Sequence, residues 1–178
     1  MSDALDERDG LPEALRALLA DTPREGWEAH PEFGALTRFW LDRHLGFRRL
    51  LAALRQDARG DAAAFDMARL SRLGGAFLGG LEEHHTVEDH VYFPKMTRLS
   101  PGLERGFAIL DADHHRLHEE LEGFASGANA VLRGGGPDAL GRFGDGLERM
   151  ERFLDRHLTD EEDLIVPVIL RVGEGRLG

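Results

Sequence analysis

Seven side chains of the types that bind metal ions recur along the sequence at helical spacing. Two His-x-x-x-Glu pairs and one His-x-x-x-His pair each place two side chains on one face of an α-helix, about one turn apart. A further histidine lies upstream of the first pair. Imidazole and carboxylate ligands together suit iron, manganese or zinc. The predicted metal ligands are His44, His84, Glu88, His114, His118, His157 and Glu161.

The two carboxylates predict a site for two metal ions. If Glu88 and Glu161 face each other, each can bridge two ions, and the histidines are then terminal ligands. A bridging oxide or hydroxide would lower the positive charge that remains. Seven protein ligands and one such bridge do not fill two octahedra. A coordination position therefore stays open for a small ligand.

Four long segments with apolar residues at steps of three and four must position these ligands. The expected helices span about 31–58, 62–96, 101–132 and 137–172, with Ser100 as the N-cap of the third. Each apolar stripe is interrupted, at similar depth, by one turn that carries His or His and Glu. A carboxylate in such a stripe is costly unless it is paired or binds a metal.

This pattern predicts an all-α fold, an up-down-up-down antiparallel four-helix bundle with an N-terminal arm. The arm is expected over residues 1–29 with a short helix at about 12–20, the bundle over 30–172 and a C-terminal tail over 173–178. The segments 84–94 (HHTVEDHVYFP) and 157–167 (HLTDEEDLIVP) also align. The alignment indicates a duplicated helical hairpin, in which each copy supplies half of a two-metal site.

One choice of ligands stays open in the second segment. His85-x-x-x-Asp89 has the same spacing as His84-x-x-x-Glu88 and lies about 100° round the helix. We favour His84 and Glu88 because they match the repeat and the apolar stripe that runs from Leu81 to Val91. The alternative or supporting residues, which would hydrogen-bond to ligands, are His85, Asp89, Tyr92 and Glu162.

At these residues the sequence resembles the hemerythrin-like, or HHE cation-binding, family, over about 30–170. The resemblance implies a four-helix bundle with two iron ions, oxo- or hydroxo-bridged. It implies binding of a small gaseous or peroxide ligand (dioxygen, nitric oxide or peroxide), or iron and redox sensing. Oxygen carriers of the family have Asp five residues after the last His, where this chain has Glu162. That difference weakens the inference that this protein is an oxygen carrier.

Two other functions remain open, so the sequence does not decide whether the protein is an enzyme. One is a di-iron oxidase or peroxidase-like enzyme. A ferritin-like oxidase would use Glu-x-x-His motifs, which Glu82 with His85 matches and Asp111 with His114 matches poorly. A metal-dependent regulatory or interaction module could use the arm and Trp27. The oligomeric state is not indicated.

Composition excludes several classes of function. The chain has no cysteine and a formal net charge of −11 among its 178 residues, so neither a thiolate site nor a basic nucleic-acid surface is expected. No apolar run approaches the roughly 20 residues that cross a bilayer. We therefore expect a cytoplasmic protein that binds neither membranes nor nucleic acids.

Overall fold

The structure is a computed structural model that describes residues 3–177, and this range contains helices and no β-strand. The four long helices are α2 (Ala35–Ala58), α3 (Met67–Val87), α5 (Glu104–Leu132) and α6 (Gly136–Val172). Two short helices, α1 (Ala17–Asp21) and α4 (Phe93–Leu99), precede α2 and α5, and 3₁₀ turns lie at Glu13–Arg16, Arg24–Ala29, Ala62–Ala64 and Glu174–Arg176. The all-α fold expected from the apolar pattern is confirmed.

Each long helix packs against two of the others. Helix α2 contacts α3 and α6, and α5 contacts the same two helices, so the four enclose a common core. The buried apolar side chains form two main clusters, which include Phe47 and Leu117 in one and Trp40 and Leu110 in the other. The predicted ligands other than His118 lie, along the chain, between a residue of one cluster and a residue of the other, as His44 does between Trp40 and Phe47. The polar turn therefore forms a layer between two apolar layers.

The helix expected over 62–96 is interrupted by a π-helical turn at Glu88–Tyr92, where the N–H of Phe93 donates to the carbonyl of Glu88. This wider turn changes the face that later residues present. Val91, which was expected in the apolar stripe, is 41% exposed, while Phe93 and Met96 enter the core. Single π-turns of this kind occur often at functional sites.

Two helix starts differ from the expectation. Helix α2 begins at Ala35 because the Glu174 carboxylate accepts hydrogen bonds from the backbone N–H groups of Gly34, Leu36 and Thr37. Ser100, expected to cap the third long helix, instead ends α4. The chain turns at Gly102, whose φ of 93° suits glycine, and α5 begins at Glu104.

The N-terminal segment, defined here as residues 3–34, packs along α6. Leu11, Leu15 and Trp27 are buried against the apolar residues of that helix. As a result every residue of α6 from 160 to 170 is buried, including four carboxylates. None of the helices within residues 3–177 is long and apolar enough to cross a membrane.

Candidate metal centre

Four of the predicted ligands converge where α2, α3 and α6 meet. One ligand atom each from His44, His84, Glu88 and Glu161 lies within 4.8 Å of all the others. The Nε2 atoms of His44 and His84 are 3.0 Å apart, and Nε2 of His84 is 2.9 Å from Oε1 of Glu88. These four residues, named group A here, offer two imidazoles and two carboxylates to one point.

A second cluster, named group B, lies between α3, α5 and α6. It consists of His85, His114 and His157, whose ligand nitrogens are within 4.8 Å of one another. The rings of His85 and His114 stack with their centroids 4.0 Å apart. Three imidazoles at one point form a donor set that suits a divalent transition metal.

The two glutamates lie between group A and group B. Oε1 of Glu88 faces His84, while its Oε2 is 3.6 Å from Nε2 of His114. Oε2 of Glu161 is 3.6 Å from Nε2 of His44 and 3.4 Å from Nε2 of His157. Each carboxylate therefore faces imidazoles of both groups, which is the position that a bridging ligand requires.

Six of the ligand atoms lack hydrogen-bond partners within the described residues. Both oxygens of Glu88, Oε2 of Glu161 and the Nε2 atoms of His85, His114 and His157 are buried and unpaired. A buried polar group without a partner costs about 1–3 kcal/mol, and such groups are rare in native proteins. A pair of cations would satisfy all six atoms at once, so these residues fit a two-metal centre.

The protonation states of His84 and His85 also suit metal binding, whereas at His44 burial is outweighed by nearby carboxylates such as Glu161, which raise the pKa. Burial lowers the pKa of the His84 imidazole to about 3, which keeps it neutral. Burial lowers the pKa of His85 as well. Burial and the nearby Glu161 charge raise the pKa of Glu88 well above its ordinary value. A cation between the two carboxylates would remove that repulsion, and neutral imidazoles can bind it without first losing a proton.

Three of the histidines are oriented by carboxylates on the side away from the ligand atoms. An Nδ1–H that donates to a carboxylate leaves the Nε2 lone pair free for a metal, and it holds the ring in place. The pairs join His44 to Glu162 at 3.0 Å, His114 to Asp89 at 2.7 Å and His157 to Asp113 at 3.3 Å.

The structure does not bring every predicted residue into the two groups. The His118 side chain is 64% exposed, lies 3.7 Å from Glu122 and belongs to neither group, so its predicted role as a ligand stays a prediction. His85, which was expected only as an alternative, belongs to group B. Asp89 and Glu162 take supporting positions, and the Tyr92 ring packs on Trp40. Glu82 and Asp111, the acidic residues of the ferritin-like motifs, are exposed and belong to neither group.

Three functional contacts could not be inferred from spacing. The indole Nε1 of Trp40 donates to Oε1 of Glu161 at 2.8 Å, although Trp40 was expected only as an apolar residue. Asp113, next to His114 in the sequence, holds the imidazole of His157 on another helix. Arg8 of the N-terminal segment donates two hydrogen bonds to Asp113 and one, at 2.9 Å, to Asp160. No helical period connects these residues.

A pocket of about 260 Å³ opens on the group A side. Its walls are mainly apolar, and they include Phe39, Trp40 and Tyr92. His84 and Glu88 line it as well, so the pocket reaches the ligands directly. Arg43 lines it too, and its guanidinium lies 3.2 Å from the Glu83 carboxylate. A small, weakly polar molecule could therefore approach group A from this face.

Replacement of Glu162 with Gln should have a pH-dependent effect on the metal-free protein. Burial opposes ionisation of Glu162, but the hydrogen bond with His44 and the charge of Arg48 outweigh it and lower the pKa to about 2. A folded-state pKa below the unfolded one stabilises the protein above pH 4.5, and this contribution is lost as the pH falls towards 2. The wild type should therefore exceed Glu162→Gln in unfolding free energy at pH 7, and the difference should shrink below pH 4.5.

Urea unfolding of both metal-free proteins at several pH values would measure that difference. Glu119→Gln is a suitable control because the Glu119 side chain is 71% exposed and pairs with Arg116 only at the surface. A difference for Glu162→Gln that stays constant down to the acid limit would contradict the assigned pKa shift.

Comparison with models of known protein families gives one match. The family model described as the hemerythrin HHE cation binding domain matches residues 35–169. Comparison with curated proteins and with solved structures found no significant match. The matched range starts with α2, ends within α6 and contains every residue of groups A and B.

Proposed function

The chain belongs to the hemerythrin HHE cation-binding domain family, and we propose that it binds two iron ions at groups A and B and a small ligand beside them. The candidate ligands are dioxygen, nitric oxide or peroxide. The observation that carries the proposal is the convergence of six buried, unpaired ligand atoms from α3, α5 and α6 and the turn after α3. Manganese or zinc would also fit these donors.

Each residue has a proposed role in this centre. Glu88 and Glu161, which face imidazoles of both groups, would hold both ions, His44 and His84 would hold the group A ion, and the three histidines of group B would hold the other. The proposal includes the up-down-up-down order of the four long helices. The contacts of α2 and α5 with both α3 and α6 support that order, as does the matched depth of the ligands.

The group A ion is the proposed position for the small ligand. Two histidines serve group A and three serve group B, so fewer protein ligands surround the first ion. The apolar pocket reaches His84 and Glu88 on this side. Bound iron would supply an open coordination position for the small ligand and a metal ion that can change its oxidation state. Trp40 holds Glu161 in place, and the aromatic walls limit the access of water.

Anaerobic addition of iron(II) to the purified protein tests this proposal. We expect two irons per chain after removal of the excess, and new visible absorption when air is admitted. His84→Ala and His157→Ala should each lose bound iron and the absorption. A protein that retains no iron, or whose spectrum does not respond to air, nitric oxide or peroxide, would contradict the proposal.

The same assay separates His85 from His118. Because His85 belongs to group B and His118 is 64% exposed, we expect His85→Ala to lose iron and His118→Ala to retain two per chain. Each variant removes one imidazole, from α3 in His85→Ala and from α5 in His118→Ala, so each controls for the other. Loss of iron from His118→Ala alone would restore His118 to the ligand set.

A further inference from the structure

A second pocket, of about 310 Å³, lies on the opposite side of α3, between α3 and α5. Its lining includes five histidines and two carboxylates, and it contains neither Lys nor Arg. Leu121 is the one large apolar side chain among these lining residues. This pocket, called the polar pocket here for its histidines and carboxylates, is therefore weakly acidic and rich in the donors that divalent metal ions accept.

The inner end of this pocket is group B. His85 and His114 line it and are 7% and 5% exposed, and their Nε2 atoms are buried and unpaired. Asp89 also lines it and holds Nδ1 of His114. The pocket thus leads from solvent to two residues of the proposed metal centre.

The outer end carries His118 and Glu82, both of which are exposed. His118 follows His114 by four residues on α5, a distance of about 6 Å along the helix. Its ring also lies 3.7 Å from the Glu122 carboxylate. Imidazole and carboxylate groups therefore occur at both ends of the pocket, from the surface to group B.

The pocket on the group A side offers fewer ligands to a hydrated cation. Its donors are one imidazole, His84, and the carboxylates of Glu88 and Glu83, and Glu83 is already paired with the Arg43 guanidinium, which adds a positive charge. In the polar pocket, by contrast, each water can be exchanged for an imidazole or a carboxylate.

We propose that the polar pocket is the entry site through which divalent metal ions reach the centre, with His118 and Glu82 as the first ligands. This inference rests on the proposed function, since it requires that groups A and B hold metal. It separates two routes: the cation enters between α3 and α5, and the small ligand enters beside Trp40. It also gives the exposed His118 a role that does not require it to be a resident ligand.

Stopped-flow mixing of the metal-free protein with Co²⁺ tests this proposal through the rate at which visible absorption develops. The double variant Glu82→Gln/His118→Ala should load about tenfold more slowly at low salt, because charged clefts raise association rates by about 10–10³. The final absorption and the final metal content should equal those of the wild type. The difference in rate should shrink as salt is added.

The matched control is Glu119→Gln/His30→Ala, which removes the same charge and one imidazole at positions outside the pocket. It should load at the wild-type rate. Equal loading rates for the two double variants would overturn the entry proposal, as would a lower final metal content in Glu82→Gln/His118→Ala. A wild-type protein that takes up no Co²⁺ and no iron(II) would instead overturn the metal centre itself, and the entry route with it.

Discussion

Replacement of Arg8 with Ala should lower the free energy of unfolding of the metal-free protein by about 3 kcal/mol. The side chains of Arg8, Asp113 and Asp160 are each no more than 2% exposed, so the variant leaves carboxylate charge buried without its main partner. Loss of one member of a buried ion pair costs about 3–5 kcal/mol. We expect a loss at the lower end of this range because Asp160 keeps its contact with Arg156 at 2.6 Å. Urea unfolding followed by helical circular dichroism would measure the change.

Arg105→Ala is the matched control for this variant. Arg105 also ties the N-terminal segment to α5, through Asp3, but its side chain is 64% exposed. Exposed pairs of this kind contribute about 0–1 kcal/mol. Arg8→Lys should recover part of the loss, because it restores the charge and not the paired hydrogen bonds. Similar stabilities for Arg8→Ala and Arg105→Ala would show that the buried contact is not made.

The Arg8 variant should also weaken metal binding. Arg8 holds Asp113, which in turn holds the His157 imidazole of group B. Loss of such supporting contacts typically lowers metal affinity by about 10–100-fold. Arg8 is thus a positioning residue for the centre, although it lies outside the range that matches the family model.

Replacement of Glu88 with Gln should separate metal binding from folding. An amide has nearly the shape of a carboxylate but carries no charge and bridges two cations poorly, so at least one of the two metal ions should be lost. The metal-free variant should keep its stability within about 1 kcal/mol of the wild type. Neither Glu88 oxygen accepts a hydrogen bond within the described residues, and its raised pKa favours the uncharged acid.

Thermal unfolding with and without iron(II) would reveal this effect. Ligand at about 100 times its Kd stabilises a protein by about 2.7 kcal/mol, so wild-type Tm should rise with metal and the Tm of Glu88→Gln should respond much less. Glu83→Gln serves as the control, because Glu83 is 74% exposed and belongs to neither group. A full metal content in Glu88→Gln would contradict the bridging role.

The internal repeat accounts for much of what could be predicted. His84 and His157 match in the repeat, as do Glu88 and Glu161, and the structure brings all four into the centre. Asp89 and Glu162 also match, and each holds Nδ1 of a histidine on a neighbouring helix. The equivalence of these acidic positions was visible in the alignment, but their partners were not.

The sequence by itself determined the all-α fold, the family and six of the residues in groups A and B. These features follow from spacing within a helix, because a period of about 3.6 residues decides which side chains share a face. The tertiary structure decided between neighbouring histidines. His84 and His85 point about 100° apart, and α3 lies between α2 and α5, so one imidazole turns to each helix and both enter the centre.

Contacts between distant segments were also decided only by the tertiary structure. Pro94 signals a break in the helix because it lacks an N–H, but not the π-turn at Glu88–Tyr92 that precedes it, which moves Phe93 into the core and Val91 to the surface. The burial of Asp113 and Asp160 depends on Arg8, more than 100 residues away. An isolated helix would leave these carboxylates in water. They are buried in the folded protein because the N-terminal segment covers α6 and supplies the opposite charge.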